Sequence, residues 1–156
     1  MIIKGIEYRP CIHSSSGMVI PGYWVNEKGE VYSEKSGKHI LPSSRRRYAC
    51  YNMSHNGKMY SVDAHRLVAL AFIEKPPAIC PNGFPKHDWE ILSEEGRQFI
   101  DHRNMQVDHI DGNKKNNHRD NLRWLTGEVN RAIAMSQKRK DYDASKYEVS
   151  LEGFLC

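Results

Sequence analysis

The chain has 156 residues, 39% of them hydrophobic, 10% aromatic and 27% charged, with a net charge of +4. This length suits one domain with a real core, and the balance is that of an ordinary soluble globular protein. The longest apolar run, residues 67–73, is far too short to span a membrane.

The first ten residues show no clear period. Ser14-Ser15-Ser16-Gly17 has loop composition, and Pro21-Gly22 signals a turn. Tyr23-Trp24-Val25 and Glu30-Val31-Tyr32-Ser33 flank the turn residues Asn26-Glu27-Lys28-Gly29, which predicts a hairpin. Lys35-Ser36-Gly37-Lys38 turns the chain again into His39-Ile40-Leu41. Residues 48–53 alternate like a strand, and Lys58-Met59-Tyr60-Ser61-Val62 returns beside them after Asn56-Gly57, the strongest hairpin dipeptide in the chain. Asp63 is placed to cap a helix in which Leu67, Leu70 and Ala71 share a face, with Val68 and Phe72 beside it. Glu74-Lys75-Pro76-Pro77 ends that helix. Residues 76–92, rich in Pro and Gly, read as a surface excursion. Residues 93–100 suit a short helix capped by Ser93, with acids in its first turn. Residues 106–110 and 121–125 read as two strands, and Thr126 as the cap of a helix running from Gly127 to about Lys138. In that helix Val129, Ala132 and Ile133 face the preceding hairpin.

The charge is uneven. Asp141, Asp143, Glu148 and Glu152 against Lys146 leave the tail at −3, so residues 1–140 carry +7 of the overall +4. A basic body suits a polyanionic partner. The cysteines, Cys11, Cys50, Cys80 and Cys156, form no CxxC pair, which argues for separate thiols rather than a zinc ribbon. Met1-Ile2-Ile3-Lys4-Gly5 does not open a signal peptide, so a cytoplasmic protein is expected, and no membrane association.

The densest chemistry lies in Val107-Asp108-His109-Ile110-Asp111-Gly112-Asn113, followed by Asn121 and Asn130. A carboxylate, an imidazole and carboxamides at this spacing can hold one hard divalent cation beside a general base. Mg²⁺ takes oxygen ligands and keeps several waters, so the Asp108 carboxylate and the Asn130 amide oxygen are enough to bind it. Histidine, with an ordinary pKa of about 6.5, suits a general base at neutral pH. On a regular strand His109 faces away from Asp108, so convergence on one phosphate requires the backbone to distort at the turn that follows.

The run V-D-H-I-D-G-N-K-K-N-N-H-R-D-N-L-R-W-L-T, with Asn130 nine residues after Asn121, resembles the HNH nucleases of the His-Me finger (ββα-metal) group, phage-type and homing-type members above all. V-D-A-H-R-L-V-A-L-A-F-I at 62–73 resembles the segment that precedes this motif, and P-G-Y-W-V-N-E-K-G-E-V-Y-S at 21–33 resembles a small upstream hairpin module. The resemblance implies an α+β protein in which small antiparallel strands and a helix lead into a C-terminal ββα-metal finger. It implies a DNA-contacting region at 1–75, an insertion at 76–105, the motif at 106–140 and an acidic tail at 141–156, in one compact domain. His109 is then the general base, Asp108 and Asn130 the metal ligands, and Asn121 the residue that braces the loop and orients the histidine through backbone hydrogen bonds. One Mg²⁺ or Mn²⁺ per site would act on double-stranded DNA, leaving 5′-phosphate and 3′-hydroxyl ends. A phage-encoded protein in a bacterial host fits this reading.

Arg45, Arg46, Arg47, Lys114, Lys115, Arg119 and Arg123 are the candidate phosphate contacts. The insertion is a candidate surface for a homodimer or a protein partner. Asp111 reads as a turn residue, His118 as a solvated loop residue, His65 as a packing or capping residue, and Tyr23, Trp24, Tyr48 and Tyr51 as core or sheet-face residues. His87, His102 and Cys80 fit no metal-ligand spacing. The rival readings are a non-catalytic DNA- or partner-binding protein that keeps the fold, and an RNase or structure-specific nuclease.

Overall fold

The structure, a computed structural model, describes residues 1–43, 47–76, 78, 80, 84–97, 100 and 105–138. The chain divides into two compact units, Met1–Lys75 with His109–Arg123, and Pro76–Asp108 with Trp124–Cys156.

In the first unit, β1 (Ile2–Ile3), β2 (Ile6–Ile12), β3 (Val19–Asn26), β4 (Val31–Ser33) and β5 (Lys38–Ile40) form a five-stranded antiparallel meander in chain order. Most of the first twelve residues are therefore strand, with a turn at Lys4-Gly5. Their burial does not alternate, because Tyr8 and Cys11 face the core at uneven spacing. Pro21 and Gly22 lie inside β3 rather than at a turn. Pairing with β2 jumps from Pro10↔Trp24 to Ile12↔Val19, so this pair forms a bulge, where a proline without N–H and a glycine at φ 78 both fit.

The β3–β4 turn is organised by Asn26, which is fully buried. Its Oδ1 accepts the N–H groups of Lys28 (3.1 Å) and Glu30 (2.9 Å), while its Nδ2 donates to Tyr8 Oη and Glu30 Oε2. β6 (Cys50–His55) and β7 (Lys58–Asp63) pair through the two-residue turn Asn56-Gly57, with φ 48 and 74, the positive pair that matches the strand twist. Helix α1 (Ala64–Phe72) packs on β2, β3 and β7 and buries Leu67, Val68 and Ala69. Burying a Leu or Val side chain contributes about 1.5–3 kcal/mol each. Asp63 occupies the N-cap position but makes no side-chain cap; the Ala64 N–H instead donates to Ala49 O at 2.8 Å.

In the second unit, residues 85–91 are not a bare excursion. They include helix α2 (Lys86–Ile91), whose Trp89 is packed edge-on against Phe84. Arg97 donates to the carbonyls of Trp89 and Glu90 and so satisfies the end of α2. Residues 94–97 are helical, and Ser93 Oγ accepts the Gly96 N–H at 3.2 Å, the expected cap. β8 (Met105–His109), whose His109 is assigned to the first unit, and β9 (Leu122–Thr126), whose Leu122 and Arg123 are too, form a two-stranded sheet, followed by α3 (Gly127–Lys138). Thr126 Oγ1 accepts the Val129 N–H at 3.3 Å. Ile133 is buried, whereas Ala132 is exposed. The architecture is α+β, antiparallel strands and a helix leading into a ββα element.

Candidate active site

The loop between β8 and β9 is built from short polar side chains bonded to nearby backbone, the chemistry of Asx turns. Asp111 Oδ1 accepts the Asn113 N–H (2.7 Å) and Asn121 Nδ2–H (2.9 Å), and its Oδ2 accepts Asn116 Nδ2–H (2.8 Å). The hydrogen bonds from Asn116 and Asn121 hold the Asp111 carboxyl below its ordinary range. Asn121 Oδ1 accepts the Asp111 N–H (3.0 Å), its Nδ2 also donates to Asn116 O (2.9 Å), and its own carbonyl accepts the Ile110 N–H (2.9 Å). Asn121 therefore closes both ends of the loop. Gly112, at φ 72, donates to His109 O. A single 3-10 turn, Arg119–Asn121, leads into β9, with His118 Nδ1 accepting the Asp120 N–H at its start.

This loop rests on the β3–β4 turn. The Arg119 N–H donates to Glu27 O at 2.9 Å, and the Arg119 guanidinium lies 3.6 Å from Glu27 Oε2. Gly29, at φ +84, lies so close to Asn117 that a Cβ there would sit 3.0 Å from the Asn117 Cβ.

His109 is 5% exposed. Its Nε2 lies 3.2 Å from Asn117 Oδ1. Its ring lies 5.1 Å from that of His65 and is stacked 6.1 Å from Tyr48, and those two rings are 4.9 Å apart. Burial, then the charge of His109 and Arg66, pushes the His65 imidazole down to about 3, so it is neutral at ordinary pH. Among the described residues His65 Nδ1 has no hydrogen-bond partner. Lys114 Nζ lies 5.5 Å over the Tyr48 ring, and partial burial followed by the charge of Arg47 lowers its pKa.

Burial along β8 alternates without a break. Met105, Val107 and His109 face inward, while Gln106 and Asp108 share the other, half-exposed face. The expected distortion that would turn Asp108 and His109 to one side is absent, because the strand keeps its pleat through His109 and the turn begins only at Ile110. Asn130, on α3, donates its Nδ2–H to Gln106 Oε1 at 2.5 Å. That bond commits the amide nitrogen and places Asn130 on the same face of β8 as Asp108, with its Oδ1 as the remaining amide donor atom.

One carboxylate and one amide oxygen form a sparse set, and they fit a hard cation that keeps most of its waters. Among the described residues no group of three or more His, Cys, Asp or Glu gathers into a metal site, which leaves no sulfur- or imidazole-rich centre of the kind zinc prefers.

The model of a family described as HNH endonuclease matches residues 85–132. The DNA endonuclease I-HmuI of Bacillus phage SP01 is 37% identical over 118 residues, covering 74% of this chain and 52% of that protein. HNH endonuclease L245 of Acanthamoeba polyphaga mimivirus is 28% identical over 121 residues, covering 77% of this chain and 29% of its own length. A solved structure described as DNA binding and cleavage by the HNH homing endonuclease I-HmuI superposes with a TM-score of 0.57 at 30% identity, over 90% of this chain and 63% of that one.

The chain belongs to the HNH endonuclease family. It spans about half the length of the first curated relative and less of the second.

Within the HNH motif, the structure puts His109 and Asn121 in the first unit, and Asp108 and Asn130 in the second. Of the candidate phosphate contacts, Arg45 and Arg46 lie outside the described residues, as do His102 and the acidic tail. Arg47 and Lys115 are exposed, and Lys114 and Arg123 are half-buried. Arg119 is exposed but pairs with Glu27 and Asp120. Asn117, in contact with the His109 imidazole nitrogen, is a residue that sequence reasoning missed. The signal available was the Asn116-Asn117 doublet, a second buried-capable amide in a loop already rich in them. His65 and Tyr48 were legible as packing residues, but not as the rings against which His109 lies.

Proposed function

We propose that this HNH chain is a divalent-metal-dependent endonuclease that hydrolyses phosphodiester bonds of duplex DNA, leaving 5′-phosphate and 3′-hydroxyl ends. The observation that carries the reading is the oriented donor pair on one face of β8, Asp108 with an Asn130 amide already committed through nitrogen to Gln106. The similarity to a protein named as a DNA endonuclease supports the choice of nucleic acid.

Asp108 and Asn130 would hold one Mg²⁺ or Mn²⁺, which when bound supplies charge stabilisation to the phosphate and the departing oxygen. His109, the next residue after Asp108, takes a proton from the attacking water. The water oxygen forms the new bond to phosphorus, the bond from phosphorus to O3′ breaks, and O3′ picks up a proton from solvent. Asn121 closes the loop that follows His109. Arg47, Lys114, Lys115 and Arg123 would meet flanking phosphates, which sets register without reading sequence. One chain has one such centre and cuts one strand; a double-strand break takes two.

The test is cleavage of supercoiled plasmid with Mg²⁺, with EDTA, and with His109→Ala. Open circles that need metal and are lost in His109→Ala, while a gel-shift assay still detects DNA binding by that variant, are the expected result. Binding without any cutting, under Mg²⁺ or Mn²⁺ and over phage and host DNA, would replace the nuclease with a DNA-binding protein that keeps the fold.

A further inference from the structure

We propose that Asn117 is a positioning residue that fixes His109 in the Nε2–H tautomer, leaving Nδ1 as the basic nitrogen, and that the β3–β4 turn holds Asn117 in place. This rests on the reading of His109 as the general base.

A neutral imidazole carries one N–H, and its other nitrogen is the base; the partner of the first decides which nitrogen that is. Asn117 is 8% exposed and has both ends of its amide engaged. Its Nδ2–H donates to Lys115 O at 3.3 Å, and a carbonyl can be met only by the NH₂ end. The oxygen therefore faces His109, where Oδ1 lies 3.2 Å from Nε2. An amide oxygen only accepts, so Nε2 must carry the hydrogen, and the lone pair is on Nδ1. The rings of His65 and Tyr48 lie against the imidazole, with centroids 5.1 and 6.1 Å away.

Asn117 is itself confined from upstream. Gly29 approaches it so closely that a Cβ there, besides being strained at φ +84, would sit 3.0 Å from the Asn117 Cβ and 3.5 Å from Val68 Cγ2, so Asn117 would have to give by a few tenths of an ångström. Tyr51 Oη–H donates to Gly29 O at 2.9 Å. Burial pushes the Tyr51 hydroxyl up to about 12, so it stays a donor at any working pH. The line from Tyr51 through Gly29 and Asn117 to His109 lies wholly within the first unit.

The experiment reads the ring nitrogens of His109 by ¹⁵N-edited NMR of the full chain, beside single-turnover cleavage of plasmid. The wild type is expected to carry its hydrogen on Nε2. Asn117→Leu, similar in volume but without the acceptor, is expected to show mixed tautomers and a kcat lower by roughly 10- to 100-fold, with KM for DNA little changed. Asn117→Asp keeps an acceptor and should restore the Nε2–H signature and most of the rate. Gly29→Ala should shift the His109 signals and slow cleavage, whereas Gly57→Ala, which places a Cβ at the same kind of positive φ with nothing within 4 Å, should do neither. That pair decides the matter even if Asn117→Leu does not fold.

An Nδ1–H wild type, or ring signals and kcat unmoved in Asn117→Leu and Gly29→Ala, would overturn the proposal. The tautomer is read without cleavage, so the two readings fail separately. A chain that cuts no DNA yet shows the Asn117-dependent tautomer would sink the nuclease and leave the hydrogen bond standing. A chain that cuts with the opposite tautomer would do the reverse.

Discussion

His65 is buried against two rings and is kept uncharged by that burial, with the charges of His109 and Arg66 adding to the effect. The unfolded chain binds a proton there near 6.5, while the folded chain does so only near 3. Between those values the unfolded state holds more protons, so this contribution to stability is complete above pH 6.5 and is lost as pH falls toward 3. Its size is at most on the order of 5 kcal/mol. Replacing His65 with Phe should flatten this part of the profile: in urea titrations the variant should gain on the wild type as pH drops from 7 to 4, and parallel curves would refute it. Asn121 offers a second residue-scale check. Asn121→Asp puts a carboxylate where an NH₂ now meets Asp111 Oδ1 at 2.9 Å and Asn116 O. It should cost about 2–4 kcal/mol at pH 7, from lost and unsatisfied hydrogen bonds, and recover in part near pH 3 as one carboxyl takes a proton. An equal loss of thermal stability at both pH values would show that repulsion with Asp111 is not the cause. The turn role of Asp111 was legible in the sequence because Asx chemistry is local, whereas the bracing by Asn121, ten residues on, was expected only from the family resemblance. The contacts of His109 with Asn117, Tyr48 and His65 were not, because they exist only once β8, α1 and the residues before β6 have packed.

Elements whose signals are local came through the sequence clearly. Asn56-Gly57 specifies its hairpin through two positive φ angles, and Thr126 starts α3 with its own hydroxyl. Thr126→Ala should therefore cost about 1 kcal/mol, read as a lower Tm; no change would mean that packing of Ile133 alone sets the start of α3. Elements that depend on distant partners did not come through. α2 is short and is held by Phe84 and by Arg97 stacked 5.9 Å over Trp89, which no period in its six residues announces. The same holds for the Pro21-Gly22 bulge, where turn residues sit inside a strand because β2 runs alongside. Asp63 shows the converse. Its position was legible but the bond that replaces its cap was not, because Ala49, just before β6, supplies the acceptor.

For the whole chain, the α+β class and the strand-helix-motif order followed from the strand and helix pattern together with the family resemblance, while the assignment of the 109–123 loop to the N-terminal unit did not. The surplus of positive charge in residues 1–140 predicts binding that weakens steeply with salt. Each phosphate contact adds about 0.9 to the slope of log K against log salt. Lys115→Ala should lower that slope by about 1 with kcat unchanged; an unchanged slope would place this exposed lysine off the DNA path. The support of the loop by Glu27 O and Gly29 has a consequence for inheritance and for engineering. The β8–β9 loop and the hairpin turn beneath it are encoded far apart, yet neither is portable without the other. A chimera that joins this motif to a foreign N-terminal region will have a loose centre unless the donor brings a turn with a carbonyl where Glu27 has one and no side chain where Gly29 has none. Recombination among such genes is thereby filtered by a contact of which only one half lies within the motif.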